Sequence, residues 1–324
     1  MPGFTTHYLF GQQAYQQLPA SEQKSTLQKY HRVFTLGLQG PDIFFYSFSS
    51  LFSKKNNPGS LMHTTNTGDF LAQLLKCPIY FPSIKEQKIA QTYAAGFVGH
   101  YLLDTACHPY IYSRSHYKKI AQGYMGHHLL LETDIDNTLL WFFQRRHPSE
   151  FHQNDAIALT KEQMQVISTL LFMAFKKVYP DLKLTKHQIT QAILSMQKGT
   201  KLLYDASGCK KAFVRRLESV FPGYPLLSPL IASDSLLFHS DPCNAAHKSW
   251  QNPWDKDHYS AESFFDLFEK ALAQYHTFLQ QTTDCFSKDT SLWEKDEQIE
   301  KALSTLGSRS YHSGLDLSSA SNLL

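Results

Sequence analysis

Two short segments constrain the whole chain: His100-x3-Asp104-x3-His108 and, one connection later, His128-x3-Glu132. Residues four apart lie on one face of an α-helix, so each segment aims its imidazoles and carboxylates into a common volume. The surrounding letters, YAAGFVGHYLLDTAC and HHLLLETDIDNTLLWFF, are small or apolar apart from that stripe, which continues to Asp136. They predict two buried helices. Imidazole and carboxylate are costly to bury unless their charge is compensated, and a cation is the simplest compensation. Hydrogen-bonded core histidines are the plainer alternative. They account poorly for the carboxylates clustered with them.

The rest of the composition narrows the class. The chain has 324 residues, enough for a large core, and a formal net charge of +3, which gives no polybasic drive toward nucleic acid or anionic lipid. Five cysteines (Cys77, Cys107, Cys209, Cys243, Cys285) stand far apart without a CxxC pair, against both a disulfide framework and a thiolate zinc site. No apolar run approaches the ~20 residues that span a bilayer. The opening MPGFTTHYLFGQQ has neither a basic nor an apolar leader region, so the expectation is a cytoplasmic protein with reduced thiols.

Read in order, the chain predicts an all-α architecture. An opening helix runs from Tyr8 to Leu18 with His7 just ahead of it. Asp42 follows the Gly40-Pro41 turn, where it either caps the next element or belongs to a site. The apolar segment from Phe44 to Phe52 is core or the wall of an apolar pocket. His63 sits where the helix TTNTGDFLAQLL begins. Gly96 and Gly99 point to close approach of another helix, and Pro109 is expected to end the helix right after His108. The helix bearing His127, His128 and Glu132 runs to about Arg146. Further helices are expected over Thr160–Tyr179, Thr185–Tyr204, Cys209–Phe221, Ser260–Cys285 and Leu292–Leu306. Prolines between Pro222 and Asp257 preclude long regular elements. That stretch, with His239, Asp241 and His247, lies across the mouth of a site or forms a surface loop pinned by Trp250 and Trp254. No strand is predicted, and the Ser-rich end from Gly307 is expected to be disordered. The division is one multi-helix domain over residues 1–288, with a metal core within 1–146, then a C-terminal helix and tail over 289–324.

Collected, His7, Asp42, His63, His100, Asp104, His108, His128 and Glu132 are the ligand types Zn²⁺ takes where thiolates are absent. In this order, carried by THYLFG, QGPDIFFY, LMHTTNTGDF, HYLLDTACHP and HHLLLETDID, they resemble the bacterial zinc-dependent phospholipase C family, whose all-helical fold is shared with S1/P1-type nucleases. The resemblance covers about the first 145 residues; beyond that only the helical character and the Trp/Pro-rich segment match. It implies one zinc on Asp42, His63, His100 and Asp104, and a second on His108, His128 and Glu132. In the relatives the second-site histidine follows the proline, whereas His108 precedes Pro109, so His116 or His127 stand as alternatives to it. A third zinc would sit on His7 and a bridging Asp104, a site that the free N-terminus completes in secreted relatives. Asp42 would orient or deprotonate the attacking water. The implied activity is hydrolysis of a phospholipid phosphodiester, with no stable nucleic-acid partner. The alternatives are an S1/P1-like nuclease or nucleotide phosphohydrolase, and a non-catalytic, zinc-stabilised binding protein.

Overall fold

A glycine inside a helix costs ~1 kcal/mol relative to alanine, so Gly96 needs a packing reason. The computed structural model, which describes residues 3–46, 57–117, 124–220, 227–234, 241–255, 257, 259–287 and 289–317, supplies it. A Cβ on Gly96 would come within 2.3 Å of the Phe34 carbonyl oxygen, and one on Gly37 within 2.3 Å of the Tyr93 carbonyl oxygen. Two helices cross there backbone to backbone.

In chain order the helices are α1 (Phe4–Gln17), α2 (Glu22–Lys29), α3 (His31–Gly37), α4 (Pro58–Met62), α5 (Thr67–Lys76), α6 (Ile84–Arg114) and α7 (Tyr124–Gln144). They continue as α8 (Gln153–Ala156), α9 (Lys161–Val178), α10 (Lys186–Leu203), α11 (Cys209–Glu218), α12 (Phe264–Gln281) and α13 (Leu292–Leu306). Among the described residues the only sheet is a two-residue antiparallel pair, β1 (Trp250–Gln251) with β2 (Tyr259–Ser260). The fold is all-α. No described helix is long and apolar enough to cross a membrane.

α6 is the central rod. Ser83 and Glu86 close a capping box at its start. Its buried Tyr93, Phe97, Tyr101 and Tyr110 pack the core, Phe97 alone worth roughly 1.5–3 kcal/mol as apolar surface removed from water. α3 crosses it at Gly96, and α12 packs alongside, with Tyr275 donating from its hydroxyl to the Ala95 carbonyl at 2.7 Å. α1 and α7 flank its C-terminal half, and α5 and α9 cover another side.

Several expectations are corrected. α1 begins at Phe4, which puts His7 inside the helix rather than ahead of it. Its cap comes from α7: the Asp136 carboxylate accepts from Thr5 N at 3.1 Å, Thr6 N at 2.8 Å and the Thr6 hydroxyl at 2.6 Å. α6 does not stop at Pro109 but runs on to Arg114. Proline removes only the N–H that would reach the Thr105 carbonyl, and packing around the next turn holds the helix. α12 starts at Phe264 rather than Ser260, because Ser263 and Asp266 form the capping box there and Ser260 belongs to β2. The presence of β1 and β2 corrects the expectation of no strand.

The expectation of disorder from Gly307 is corrected for residues 307–317, which fold into a hydrogen-bonded strap. Ser310 N donates to Leu315 O, Gly314 N to Ser310 O and Leu317 N to Ser308 O, each at 2.9 Å. Of the apolar segment after Asp42, Phe44 packs edge-on against Phe175 in the core, whereas Phe48, Leu51 and Phe52 lie outside the described residues.

Candidate metal centre

Five parts of the fold converge on one buried volume. α6 supplies His100, Asp104 and His108, stacked a turn apart, and α7 supplies His128 and Glu132. α1 contributes His7, the 3₁₀ turn Gly40–Phe45 contributes Asp42, and His63 is the C-cap of α4. All eight side chains are buried. Their donor atoms form three groups that could each hold a metal ion: His7–Asp42–His100, His63–His100–Asp104 and His108–His128–Glu132, with the atoms of a group within 4.8 Å of one another.

Asp104 lies at the middle. Its Oδ1 is 3.2 Å from His7 Nε2, while Oδ2 is 3.1 Å from His100 Nε2 and 3.6 Å from His63 Nε2. Asp42 Oδ1 stands 3.6 Å from His63 Nε2 and 3.9 Å from His100 Nε2. In the other cluster His128 Nε2 is 2.8 Å from Glu132 Oε1.

Backbone carbonyls fix the imidazoles. The Nδ1–H of His63 donates to Gly59 O at 2.6 Å, that of His100 to Leu38 O at 3.0 Å and that of His108 to Tyr311 O at 2.6 Å. Each ring is thereby held in the tautomer whose Nε2 carries a lone pair, the form that ligates metals. Those same Nε2 atoms, with both His7 nitrogens, Asp42 Oδ1 and both Asp104 oxygens, are buried without a hydrogen-bond partner. Lone pairs converging on a buried volume are expensive, and a divalent cation satisfies them together. The donor set, all imidazole and carboxylate, fits zinc.

The electrostatics vary with position. Burial pushes the Asp42 carboxyl up to about 7. Burial pushes Asp104 the same way, but the charges of His100 and His108 outweigh it and hold that carboxyl well below the usual range. Burial, aided by His100, lowers His7 to about 4. It likewise keeps His108 and His128 below the ordinary imidazole value. Glu132 is held below the usual carboxylate range because His128 overcomes the effect of burial. Burial works to lower His100 too, but the charges of Asp104 and Asp42 outweigh it and raise that imidazole. A firmly ionised carboxylate among buried imidazole nitrogens is an electrostatic trap for a cation.

The three histidines considered for the second site stand differently in the structure. His108 falls within the second group, whereas His116 is exposed and faces His127, ring to ring, at 6.4 Å. Capping does not explain Asp42, since the Gly40–Phe45 turn has no side-chain cap and Asp42 Oδ1 has no hydrogen-bond partner. His239 lies outside the described residues. Asp241 accepts from Ala245 N and Ala246 N in a local turn, and exposed His247 donates to Ala261 O. Neither joins a ligand group among the described residues. Trp250 donates to Glu262 O and Trp254 packs on Tyr112, in keeping with a pinned loop.

Sequence reasoning missed Tyr311 and His312. Tyr311 packs on His63 with ring centroids 4.9 Å apart, and His312 stacks on His63 at 5.3 Å. The only signal was an aromatic pair, SYHSG, in a Ser-rich stretch.

No curated protein and no solved structure matches the chain. The family model described as zinc dependent phospholipase C matches residues 6–180, more than half of the chain and the span that holds all eight candidate ligands. Helical fold, buried imidazole–carboxylate clusters and matched span agree: this chain belongs to the zinc dependent phospholipase C family.

Proposed function

We propose that this chain is a zinc-dependent phosphodiesterase that hydrolyses a phospholipid between glycerol and phosphate. His63, His100, Asp104 and Asp42 would hold one ion, His108, His128 and Glu132 a second, and His7 with Asp104 any third. The observation that carries the reading is the convergence of buried, unpartnered Nε2 and carboxylate oxygen atoms in one volume.

Zinc, when bound, supplies the Lewis acidity that makes water a nucleophile near neutral pH and offsets charge on the phosphoryl group. Asp42 acts on that water. It would accept a proton from that water and return it to the departing glycerol oxygen. Asp104, firmly ionised, stays a fixed negative charge throughout and keeps His7, His63 and His100 aimed inward. The apolar packing of α6 and α7 keeps bulk water out, which strengthens each of these interactions. Water adds to phosphorus, the phosphorus–glycerol oxygen bond breaks, and diacylglycerol and the phosphorylated head group leave.

The test pairs elemental analysis of zinc-supplemented protein with release assays on phosphatidylcholine, a phosphodiester dye and single-stranded DNA. Zinc at more than one equivalent and diacylglycerol release are expected. Less than one transition metal per chain would overturn the reading. Nucleotide release without lipid cleavage would move the chain to the nuclease side of its fold, and zinc with no hydrolysis would make it a binding protein.

A further inference from the structure

The strap over residues 307–317 is tied into the metal centre rather than resting on its surface. Tyr311 N donates to the His63 backbone carbonyl at 3.0 Å, and Tyr311 O accepts the Nδ1–H of His108 at 2.6 Å. One residue of the strap thus grips a candidate ligand from each of two clusters. The strap is anchored on both sides: Arg309 N donates to the Tyr101 hydroxyl at 3.0 Å, and the Asn252 amide donates to Ser313 O at 2.9 Å. Gly314 takes φ +68°, and a Cβ there would lie 2.4 Å from Thr105 O, the carbonyl that Pro109 leaves without its helical N–H. The strap therefore seats in the gap that the proline opens, one turn from His108.

This seating puts the mostly buried imidazole of His312 between the clusters. Its ring centroid is 5.3 Å from that of His63, with the planes 27° apart, and 6.0 Å from that of His108. The rings already sharing a ligand group provide a yardstick: His63 and His100 are 6.1 Å apart, and His108 and His128 are 6.2 Å apart. By ring centroid His312 lies closer to a member of each cluster than those partners lie to one another, although its nitrogens join none of the three groups as they stand. The ring also packs on Tyr112, with centroids 5.4 Å apart.

We infer that His312 is a further metal donor, delivered by the strap to the junction of the two clusters. The inference rests on the proposed zinc chemistry and adds a ligand from outside the span that the family model matches. Tyr311 is a positioning residue beside it, setting the tautomer of His108 through its carbonyl.

The experiment titrates metal-free full-length protein with Zn²⁺ against a chromophoric chelator and records the visible spectrum with Co²⁺ in its place. His312→Ala should weaken the weakest zinc site by at least about tenfold and change the cobalt bands, with free imidazole restoring part of both. If the alanine chain does not fold, His312→Asn is read by the same criteria. Gly314→Val, which lifts the strap without touching an imidazole, should weaken the same site. Unchanged zinc affinity and an unchanged cobalt spectrum in the His312 variant would overturn the inference. So would higher lipid cleavage at unchanged zinc, which would make the strap a plug. Full-length protein that takes up no zinc would instead sink the proposed function, so the two failures are distinct.

Discussion

Asp104 bears the most load of any single side chain. Its two oxygens face different neighbours, Oδ1 toward His7 and Oδ2 toward His100 and His63, so one carboxylate spans what would be two ion positions. Asp104→Asn preserves size and one acceptor oxygen but removes the charge. Zinc content and phosphodiesterase activity should both fall, activity by orders of magnitude, as read by elemental analysis and lipid release on one preparation. A merely structural Asp104 would lower the melting temperature without changing zinc. Unchanged zinc with full activity would show that it is not a ligand. That the eight candidate residues come together was legible in the sequence, because helix periodicity brings i and i+4 together and because the order of the motifs, with the Gly-Pro turn and the His63 segment, resembles that of one family. His312 was not legible. Its neighbours His63 and His108 lie more than two hundred residues earlier, and no local pattern encodes such a contact.

At the scale of elements, the same division between local and distant signals recurs. α9, α10 and α13 begin where Thr160, Thr185 and Ser291 cap them within the same few residues, and those starts could be read directly. α1 could not be placed so well, because its cap is the carboxylate of Asp136 on α7. That contact has a measurable consequence. Burial, only partly offset by the hydrogen bonds from Thr5 and Thr6, raises the Asp136 carboxyl from 3.8 to about 6. With a folded-state value above the unfolded one, its contribution to stability is fully present below about pH 4 and is lost as pH rises through 6, by on the order of 1–3 kcal/mol. Asp136→Asn keeps an acceptor for the α1 amides and cannot ionise. The difference in melting temperature between wild type and variant should therefore shift in the variant's favour from pH 4 to pH 6.5. A difference that stays flat across that window would show that Asp136 does not titrate there.

For the whole molecule, the centre is a source of stability only when its lone pairs are satisfied. Metal-free protein keeps Asp104 ionised in a buried cluster of imidazoles, an arrangement that costs free energy. Zinc at a thousand times its dissociation constant stabilises by about 4 kcal/mol. Chelation should accordingly lower the melting temperature by roughly 6 °C, reversibly on zinc return. An identical melt with and without chelator would mean that no ion is held in the folded core. The link between Tyr311 and His108, finally, places the completion of this centre in time. It joins positions 203 residues apart. At about 5–20 residues per second, His108 leaves the ribosome roughly 10–40 s before Tyr311 does. All thirteen described helices, α6 and α7 included, are translated in advance of the strap. An ion that reaches the nascent chain early meets a His108 ring still free to turn, and it is the arrival of the strap that locks it.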